Sequence, residues 1–187
     1  MPDERQHGYL GTHLSPVEYY RRHAAAYDNP HAGGIARALG HFACQLEGVV
    51  LDWGCGDGLA TKLLAAAHQD WQFVGVDNAP LMVARYIQET GFSAVVAGFG
   101  EALPAADSAV ASYALHLASP AEAAVMWWRL AESGVKTLVV VTPFKARPAA
   151  PAFYYVEAER VCGRWGPAGK TIYAMFYRRL EDDLAKG

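Results

Sequence analysis

The sequence predicts an α/β fold: a doubly wound, mostly parallel β-sheet, preceded by an N-terminal helical cap and completed by a C-terminal antiparallel hairpin. Short apolar segments alternate with helical segments through the middle of the chain, and a glycine-rich turn joins the first of these apolar segments to a helix. Two aromatic-rich segments near the end flank a glycine- and proline-rich stretch. A length of 187 residues suits one domain. We therefore predict a single domain over residues 1–187, with the cap over 1–47 and the core over 48–187.

The N-terminal segment contains signals for two helices. Ser15-Pro16-Val17-Glu18 provides a capping residue, a proline suited to the first helical turn and an acid three residues after the cap. This pattern predicts a helix that runs to about Tyr27 and ends before Pro30, because proline disfavours helix in the residue before it. A second helix is expected over Gly34–Leu46.

Five short apolar runs predict the parallel strands. They cover Val49–Trp53, Trp71–Asp77, Ser93–Ala97, Ala109–Leu115 and Lys136–Thr142. Helical segments lie between them, and we predict these over Leu59–His68, over Pro80–Thr90 and from the capping box at Ser119 to about Ser133. This alternation implies a parallel sheet with helices on both faces.

The C-terminal segment departs from the alternation. Phe153–Cys162 and Lys170–Arg179 are rich in tyrosine, phenylalanine, valine and isoleucine, and they flank the turn-forming stretch Gly163–Gly169. This arrangement predicts an antiparallel hairpin at the edge of the sheet. The alternative is a helix over Ala152–Val161, which contains the helix-favouring run Glu157-Ala158-Glu159-Arg160.

The glycine turn is the strongest functional signal in the chain. Gly54, Gly56 and Gly58 follow a buried strand and open a helix, which allows a ligand to approach bare backbone. A dinucleotide fingerprint would place its third glycine where this chain has Leu59. Asp52, just before the turn, would repel a pyrophosphate and attract a cation such as S-adenosylmethionine, which carries an ammonium and a sulfonium. Asp77 ends the second predicted strand, where a carboxylate can accept hydrogen bonds from both ribose hydroxyls.

These segments resemble the class I S-adenosylmethionine-dependent methyltransferases over about residues 49–144, which implies a Rossmann-like core. The run Val49–Gly58 resembles the first motif of the family, whose backbone and acid hold the methionine part of the cofactor. The run Val74–Met82 resembles the second motif, which implies Asp77 on the ribose and Asn78 and Leu81 near the adenine. The resemblance thus assigns the cofactor to Asp52, Gly54, Cys55, Gly56, Asp77, Asn78 and Leu81.

Two further segments extend the resemblance, one of them with a departure. Ala97–Pro104 resembles the segment after the third strand, where the family commonly has an aspartate after a glycine, next to the adenine. This chain has Phe99 there, so either Phe99 stacks on the adenine or Glu101 supplies the polar contact, and Gly100 is also expected at the cofactor. Ser112–Leu117 resembles the motif that faces the methyl donor, which adds Tyr113 to the expected cofactor site.

Candidate residues on the acceptor side are fewer. His116 follows the fourth predicted strand, where open α/β sheets place their ligands, and its ordinary pKa near 6.5 suits a general base. The alternative is a histidine that only packs beside the cofactor. Tyr20 and Tyr27 share one face of the first predicted helix and are expected at the substrate, the alternatives being a wall of the cofactor site or ordinary packing. Lys145 after the fifth predicted strand is also expected at the substrate, the alternative being a solvated loop. His116 is expected to contact the substrate as well.

The sequence therefore predicts an S-adenosylmethionine-dependent methyltransferase that acts on a small molecule by in-line transfer. Two alternatives stay open: a non-catalytic S-adenosylmethionine-binding or regulatory module, which the departure at Phe99 allows, and an NAD-dependent oxidoreductase. The net charge of −3 and the absence of a basic stripe with interleaved aromatics argue against a nucleic-acid partner.

The cysteines, the histidines and the polar N-terminus argue against disulfide-stabilised, secreted, membrane and metal-binding proteins. The three cysteines include no C-x-x-C pair, which fits a reducing cytoplasm better than a disulfide scaffold. The polar N-terminus has no signal-peptide core, and no apolar run is long enough for a membrane span, so we expect a cytoplasmic protein without a membrane partner. The seven histidines show no ligand spacing, so no metal is expected. The oligomeric state stays open.

Overall fold

A computed structural model describes residues 16–23, 29, 31–143, 150–165 and 170–180. Within these residues the strands form one seven-stranded sheet with the order β3-β2-β1-β4-β5-β7-β6. The strands are β1 (Val49–Trp53), β2 (Gln72–Asp77), β3 (Ser93–Val96), β4 (Ser108–Ser112), β5 (Thr137–Pro143), β6 (Tyr154–Trp165) and β7 (Lys170–Arg179). The pairs among β1 to β5 are parallel, and β7 is antiparallel to both β5 and β6. The expected fold is confirmed.

The described helices lie between the strands and ahead of β1. They are α1 (Pro16–His23), α2 (Ala32–Phe42), α3 (Leu59–Ala67), α4 (Pro80–Thr90) and α5 (Pro120–Glu132), with short 3₁₀ turns at Ala43–Gln45 and Leu115–Leu117. The capping box of α5 forms as predicted, because the Ser119 hydroxyl accepts from the Glu122 amide and the Glu122 carboxylate accepts from the Ser119 amide. The predicted cap at Ser15 lies outside the described residues. No helix in the described part of the chain is long and apolar enough to cross a bilayer.

Two apolar clusters lie on opposite faces of the sheet. Successive residues of a strand point to opposite faces, so Val50 belongs to one cluster and Leu51 to the other. The first cluster contains Leu51 and the fully buried Trp127 of α5. The second contains Val50 with residues of α2 and α3, including Ile35 and Leu64. Helices therefore cover both faces, as the alternation predicted.

The order of the strands reverses at β1. The chain runs outward through β2 and β3 on one side, then returns to place β4 and β5 on the other. Open α/β sheets form a crevice at such a reversal, beyond the carboxyl ends of the strands. The segments that follow β1 and β4 therefore meet beyond the carboxyl ends of the parallel strands.

Two sequence-based expectations need correction. The alternative helix over Ala152–Val161 is wrong, since residues 154–161 belong to β6. The hairpin lies at the edge of the sheet as predicted, with β6 outermost and β7 between β5 and β6. The helix α2 packs its buried side chains into the core.

The second correction concerns the end of β4. This strand stops at Ser112 instead of continuing to Leu115. Tyr113 adopts φ +55°, in the left-handed region, which turns the chain out of the extended conformation. His116 consequently lies in a 3₁₀ turn rather than at a strand end.

Candidate functional site

The glycine turn after β1 is tied to the neighbouring strand. The amides of Gly54 and Cys55 both donate to the carbonyl of Val76 in β2, at 2.7 and 3.0 Å. Gly54, Gly56 and Gly58 have φ values of +69°, +53° and +75°, which L side chains rarely adopt. The three glycines therefore adopt the left-handed backbone conformation for which glycine is favoured.

Close approach adds a second requirement for glycine at two of these positions. A Cβ on Gly54 would lie 2.4 Å from the Cβ of Ala114, which follows β4. A Cβ on Gly58 would lie 2.3 Å from Cγ2 of Thr90 at the end of α4. By contrast, the nearest atom to a Cβ on Gly56 would be Cε of Met82 at 3.6 Å, so bare backbone faces open space there.

Asp77 joins the turn to the start of α4. Its Oδ2 accepts from the amide of Gly56 at 3.1 Å, and its Oδ1 accepts from the amide of Ala79 at 2.9 Å. Burial raises the pKa of Asp77, while these hydrogen bonds act in the opposite direction. The carboxylate predicted to hold a ribose thus has a fixed position beside the turn.

A cavity of about 260 Å³ opens beyond the carboxyl ends of the parallel strands. Its walls come from the segments after β1, β2, β3 and β4, with additions from α1 and α5 and from Asn29. The charged residues among those that line it are all acidic: Asp57, Asp77 and Glu122. Such a lining favours a cationic ligand and disfavours a pyrophosphate.

Eight of the residues expected at the site line this cavity. They are Tyr20, Gly54, Cys55, Gly56, Asp77, Asn78, Phe99 and Tyr113. The cavity is therefore built largely from the motif residues, and it lies where the reversal of strand order predicts a ligand crevice.

Several other expected residues are not among those that line the cavity. Leu81 is 48% exposed on the surface of α4. Gly100 is exposed in the loop after β3, and the carboxylate of Glu101 accepts from the Gly98 amide at 2.8 Å, which braces that loop.

Three acceptor-side candidates cannot be placed. Tyr27 and Lys145 lie outside the described residues, as does the side chain of His116. The backbone of His116 belongs to the turn Leu115–Leu117. Ala114, two residues before His116, and Leu117, directly after it, both line the cavity.

Asp52 lies behind the glycine turn and is 2% exposed. Its Oδ2 accepts from Thr61 of α3 twice, from Oγ1 at 2.8 Å and from the amide at 3.3 Å. Its Oδ1 is buried and has no hydrogen-bond partner among the described residues. Burial, reinforced by the nearby acids Asp57 and Asp77, raises the pKa of Asp52 to about 7.

Tyr113 combines an unusual backbone conformation with a stacked ring. Its φ of +55° is the one positive value among the described residues other than glycine. Its ring stacks on His31, with the ring centroids 3.7 Å apart and the planes 5° from parallel. Non-glycine residues in this conformation cluster at functional sites, where the surrounding structure enforces them.

Sequence reasoning missed part of the lining. The missed residues are Asn29, Trp53, Asp57, Leu59, Ala60, Met82, Ala97, Gly98, Ser112, Ala114, Leu117 and Glu122. Most lie inside the four motif runs themselves, and Leu59 and Ala60 directly follow the first run, so assigning whole runs to the site would have found them. Asn29 comes from the N-terminal segment and has no motif that points to it.

Comparisons with known proteins agree with this geometry. Residues 50–133 match a family model described as a methyltransferase domain. No curated protein sequence matches the chain.

Solved structures share the fold at low sequence identity. A magnesium protoporphyrin IX methyltransferase from Synechocystis PCC 6803 with bound S-adenosylmethionine has a TM-score of 0.64 at 17% identity, covering 95% of this chain and 90% of that one. A methyltransferase from Anabaena variabilis has a TM-score of 0.65 at 11% identity, covering 88% and 93%. Mitomycin 7-O-methyltransferase has a TM-score of 0.62 at 16% identity, covering 80% and 54%.

The close contact at Gly58 leads to a stability prediction. We expect Gly58→Ala to lower the free energy of unfolding by about 2–4 kcal/mol, because the new methyl group both strains the left-handed backbone and meets Thr90. Urea denaturation measures this effect. Gly40→Ala is the matched control, since that glycine lies within α2 with nothing within 4 Å of its Cβ position, and it should be neutral or stabilising by up to about 1 kcal/mol. Equal stability of the two variants would contradict the prediction.

The buried carboxyl of Asp52 predicts a pH dependence. Its pKa is about 7 in the folded chain against an ordinary value of 3.8, so the folded state binds the extra proton between these pH values. The free energy of unfolding of the wild type relative to Asp52→Asn should therefore fall as pH rises from about 4 to about 7. Denaturation of both proteins at several pH values gives this difference. A difference that stays constant, or that grows with pH, would show that the carboxyl is not perturbed in this way.

Proposed function

We propose that this chain is a class I S-adenosylmethionine-dependent methyltransferase, that its cavity binds S-adenosylmethionine and that it transfers the methyl group to a small-molecule acceptor, in keeping with the methyltransferase domain matched over residues 50–133. The single observation that carries the proposal is the electrostatic character of the cavity: its charged lining residues are all acids, and the buried carboxyl of Asp52 lies behind the same turn. A cofactor with two positive centres matches this environment, whereas NAD would bring a pyrophosphate against it.

The residues present fit the cofactor in two further respects. Bare backbone at Gly56 faces the cavity, where a side chain would occupy ligand space. Asp52 Oδ1 is a buried acceptor without a partner among the described residues, a costly arrangement that a ligand donor would relieve. We assign the methionine end to Asp52, Gly54, Cys55 and Gly56, the ribose to Asp77, and the adenine surroundings to Asn78 and Phe99.

S-adenosylmethionine supplies a methyl group already activated on a sulfonium, so the protein needs mainly to align an acceptor and exclude water. Tyr113 lines the cavity from the segment after β4 and is held by its stack on His31. We assign Tyr20, Asn29 and Leu117 to the acceptor, because they line the same cavity from outside the nucleoside-binding motifs. Expected residues Tyr27 and Lys145 stay assigned to the acceptor by sequence alone.

The small-molecule assignment rests on the size of the cavity and on the neighbours. The walls enclose about 260 Å³, the scale of a compact ligand site. Two neighbours of the same fold are named for small acceptors, magnesium protoporphyrin IX and mitomycin. These names support the proposal for this chain and do not identify its acceptor.

We propose His116 as the general base for an acceptor that must lose a proton. Ala114 before its turn and Leu117 within the turn both line the cavity, which brings the backbone of His116 close to the site. An imidazole titrates near neutral pH, as proton abstraction from a weakly acidic hydroxyl requires.

Cofactor choice is tested by calorimetric titration with S-adenosylhomocysteine and NADH. We expect the wild type to bind S-adenosylhomocysteine and not NADH. Gly56→Ala should lower the affinity for S-adenosylhomocysteine by about tenfold or more, because its methyl group enters the cavity on a strained backbone. Gly40→Ala, which meets nothing within 4 Å, should bind as the wild type does. Binding of NADH without S-adenosylhomocysteine would overturn the proposal.

The catalytic role of His116 is tested with an acceptor from a panel of small phenols, hydroxy acids and amines, scored by release of S-adenosylhomocysteine. We expect His116→Ala to lower turnover by roughly 100-fold and to leave cofactor affinity unchanged. His41→Ala, on an exposed position of α2, is the control. Unchanged turnover in His116→Ala would rule out the base. Release with transfer RNA but with no member of the panel would contradict the small-molecule assignment.

A further inference from the structure

The two faces of the sheet are covered unequally by the described helices. On one face, α2 and α3 supply the helical residues of the apolar cluster. Helix α4 packs on the same face, because its Tyr86 lies against Gly75, whose neighbours Val74 and Val76 point to the opposite face. The α-helical residues of the opposite cluster all come from α5. That face therefore has one described helix where the other has three.

Helix α5 is apolar on its outer side as well as on its buried side. Its buried side packs Met126, Trp127 and Leu130 into the core. An outer stripe of exposed residues consists of Ala121, Ala124, Val125 and Trp128. Val125 is 42% exposed and Trp128 is 62% exposed. A surface helix normally places polar residues on this side, whereas apolar residues spaced by four and three form the seam along which helices pair.

Trp128 is oriented before any partner arrives. Its ring centroid lies 5.0 Å from that of Phe153, which precedes β6, and the ring planes are inclined by 51°. It is nevertheless the most exposed large apolar side chain in the described part of the chain. A side chain that is already oriented loses little conformational freedom on binding, and tryptophan is enriched among the residues that dominate interface affinity. Trp128 thus has the properties of an interface anchor.

The outer stripe is complementary to itself in size. Trp128 lies toward the C-terminal end of α5, and Ala121 and Ala124 lie toward its N-terminal end. A two-fold axis near Val125 that sets two copies of α5 antiparallel places Trp128 of each copy over the two alanines of the other. Two-fold interfaces require such self-complementarity, since the same surface serves both subunits.

The charges beside the stripe favour the same antiparallel arrangement. Glu122 and Arg129 are seven residues apart and therefore lie on one flank of α5. The axis near Val125 brings Glu122 of each copy opposite Arg129 of the other, whereas a parallel pair would set Glu122 beside Glu122. Within one copy, Glu122 uses Oε2 to accept from the Ser119 amide, and Arg129 uses Nε and Nη1 for the Gly100 carbonyl and Glu132. Oε1 of Glu122 and Nη2 of Arg129 take no part in these bonds.

We propose that the outer stripe of α5 is the interface at which two copies of this chain associate, antiparallel about a two-fold axis near Val125. The proposal goes beyond the proposed function and does not depend on it. Glu122 also lines the cavity, so the second copy lies beside the cavity opening.

Sedimentation equilibrium of the full chain over a range of concentrations tests the interface. We expect the wild type to form a dimer. Val125→Glu should weaken the dimer by about 100-fold and Trp128→Ala by about 30-fold, because the first places a charge at the axis and the second removes the anchor. Ile87→Glu is the matched control, since Ile87 is 44% exposed on a helix of the opposite face, and it should dimerise as the wild type does. Urea denaturation confirms that each variant is folded.

Disulfide cross-linking tests the orientation of the two copies. The background is Cys44→Ser, because Cys44 is exposed whereas the other two cysteines are buried. Val125→Cys should cross-link, since each new thiol lies beside its symmetry mate. Glu132→Cys should not, because residues seven positions from the axis are separated by about 20 Å along an antiparallel pair. Cross-linking of both cysteine variants would indicate a parallel pair and contradict the proposal.

Three other results would overturn the interface. The first is a wild type that is monomeric at every concentration. The second is a dimer that Val125→Glu and Trp128→Ala leave unchanged, because association would then use another surface. The third is a monomer that binds phosphatidylcholine vesicles and loses this binding in Trp128→Ala, which would make a lipid surface the occupant of the stripe.

Discussion

The site depends on one carbonyl group, that of Val76 in β2. It accepts from two successive amides of the glycine turn, Gly54 and Cys55, at 2.7 and 3.0 Å. Because Trp53 is in register with Val76, the turn leaves β1 at a defined position relative to β2. The next residue, Asp77, then reaches the Gly56 amide with its carboxylate. The first two strand ends are thus joined into one rigid wall of the cavity.

The acids around this wall have a structural role besides the one proposed for them with a ligand. Helix α3 begins after Gly58, which has no side chain with which to cap it. Asp57 accepts from the Leu59 amide at 3.3 Å, and Asp52 accepts from the Thr61 amide at the same distance. First-turn amides of a helix have no partner within the helix, and its N-terminus favours negative charge. These contacts explain how the fold tolerates several acids in a small volume.

Much of the site follows from the sequence because its parts are local. The glycine turn, Asp77 and Asn78 lie within short segments whose backbone conformation is set by glycine spacing and by the ends of two adjacent strands. The loop after β3 and the turn after β4 were harder to predict. The Glu101 carboxylate accepts from the amide of Gly98, and Tyr113 adopts a left-handed conformation that no local pattern requires. The first contact is local, but the Tyr113 ring stacks on His31, which is distant in the chain.

The sequence by itself determined the alternation of strands and helices, the hairpin and the position of the glycine turn, because hydrophobic periodicity and glycine spacing act over a few residues. Tertiary structure alone decided that β7 inserts beside β5, that α2 joins the core and that β4 ends at Ser112. It also decided which oxygen of Asp52 is occupied, since Thr61 of α3 donates to Oδ2 and the Thr61 hydroxyl in turn contacts that of Tyr86 in α4. Such contacts join residues far apart in the chain, and no short-range pattern encodes them.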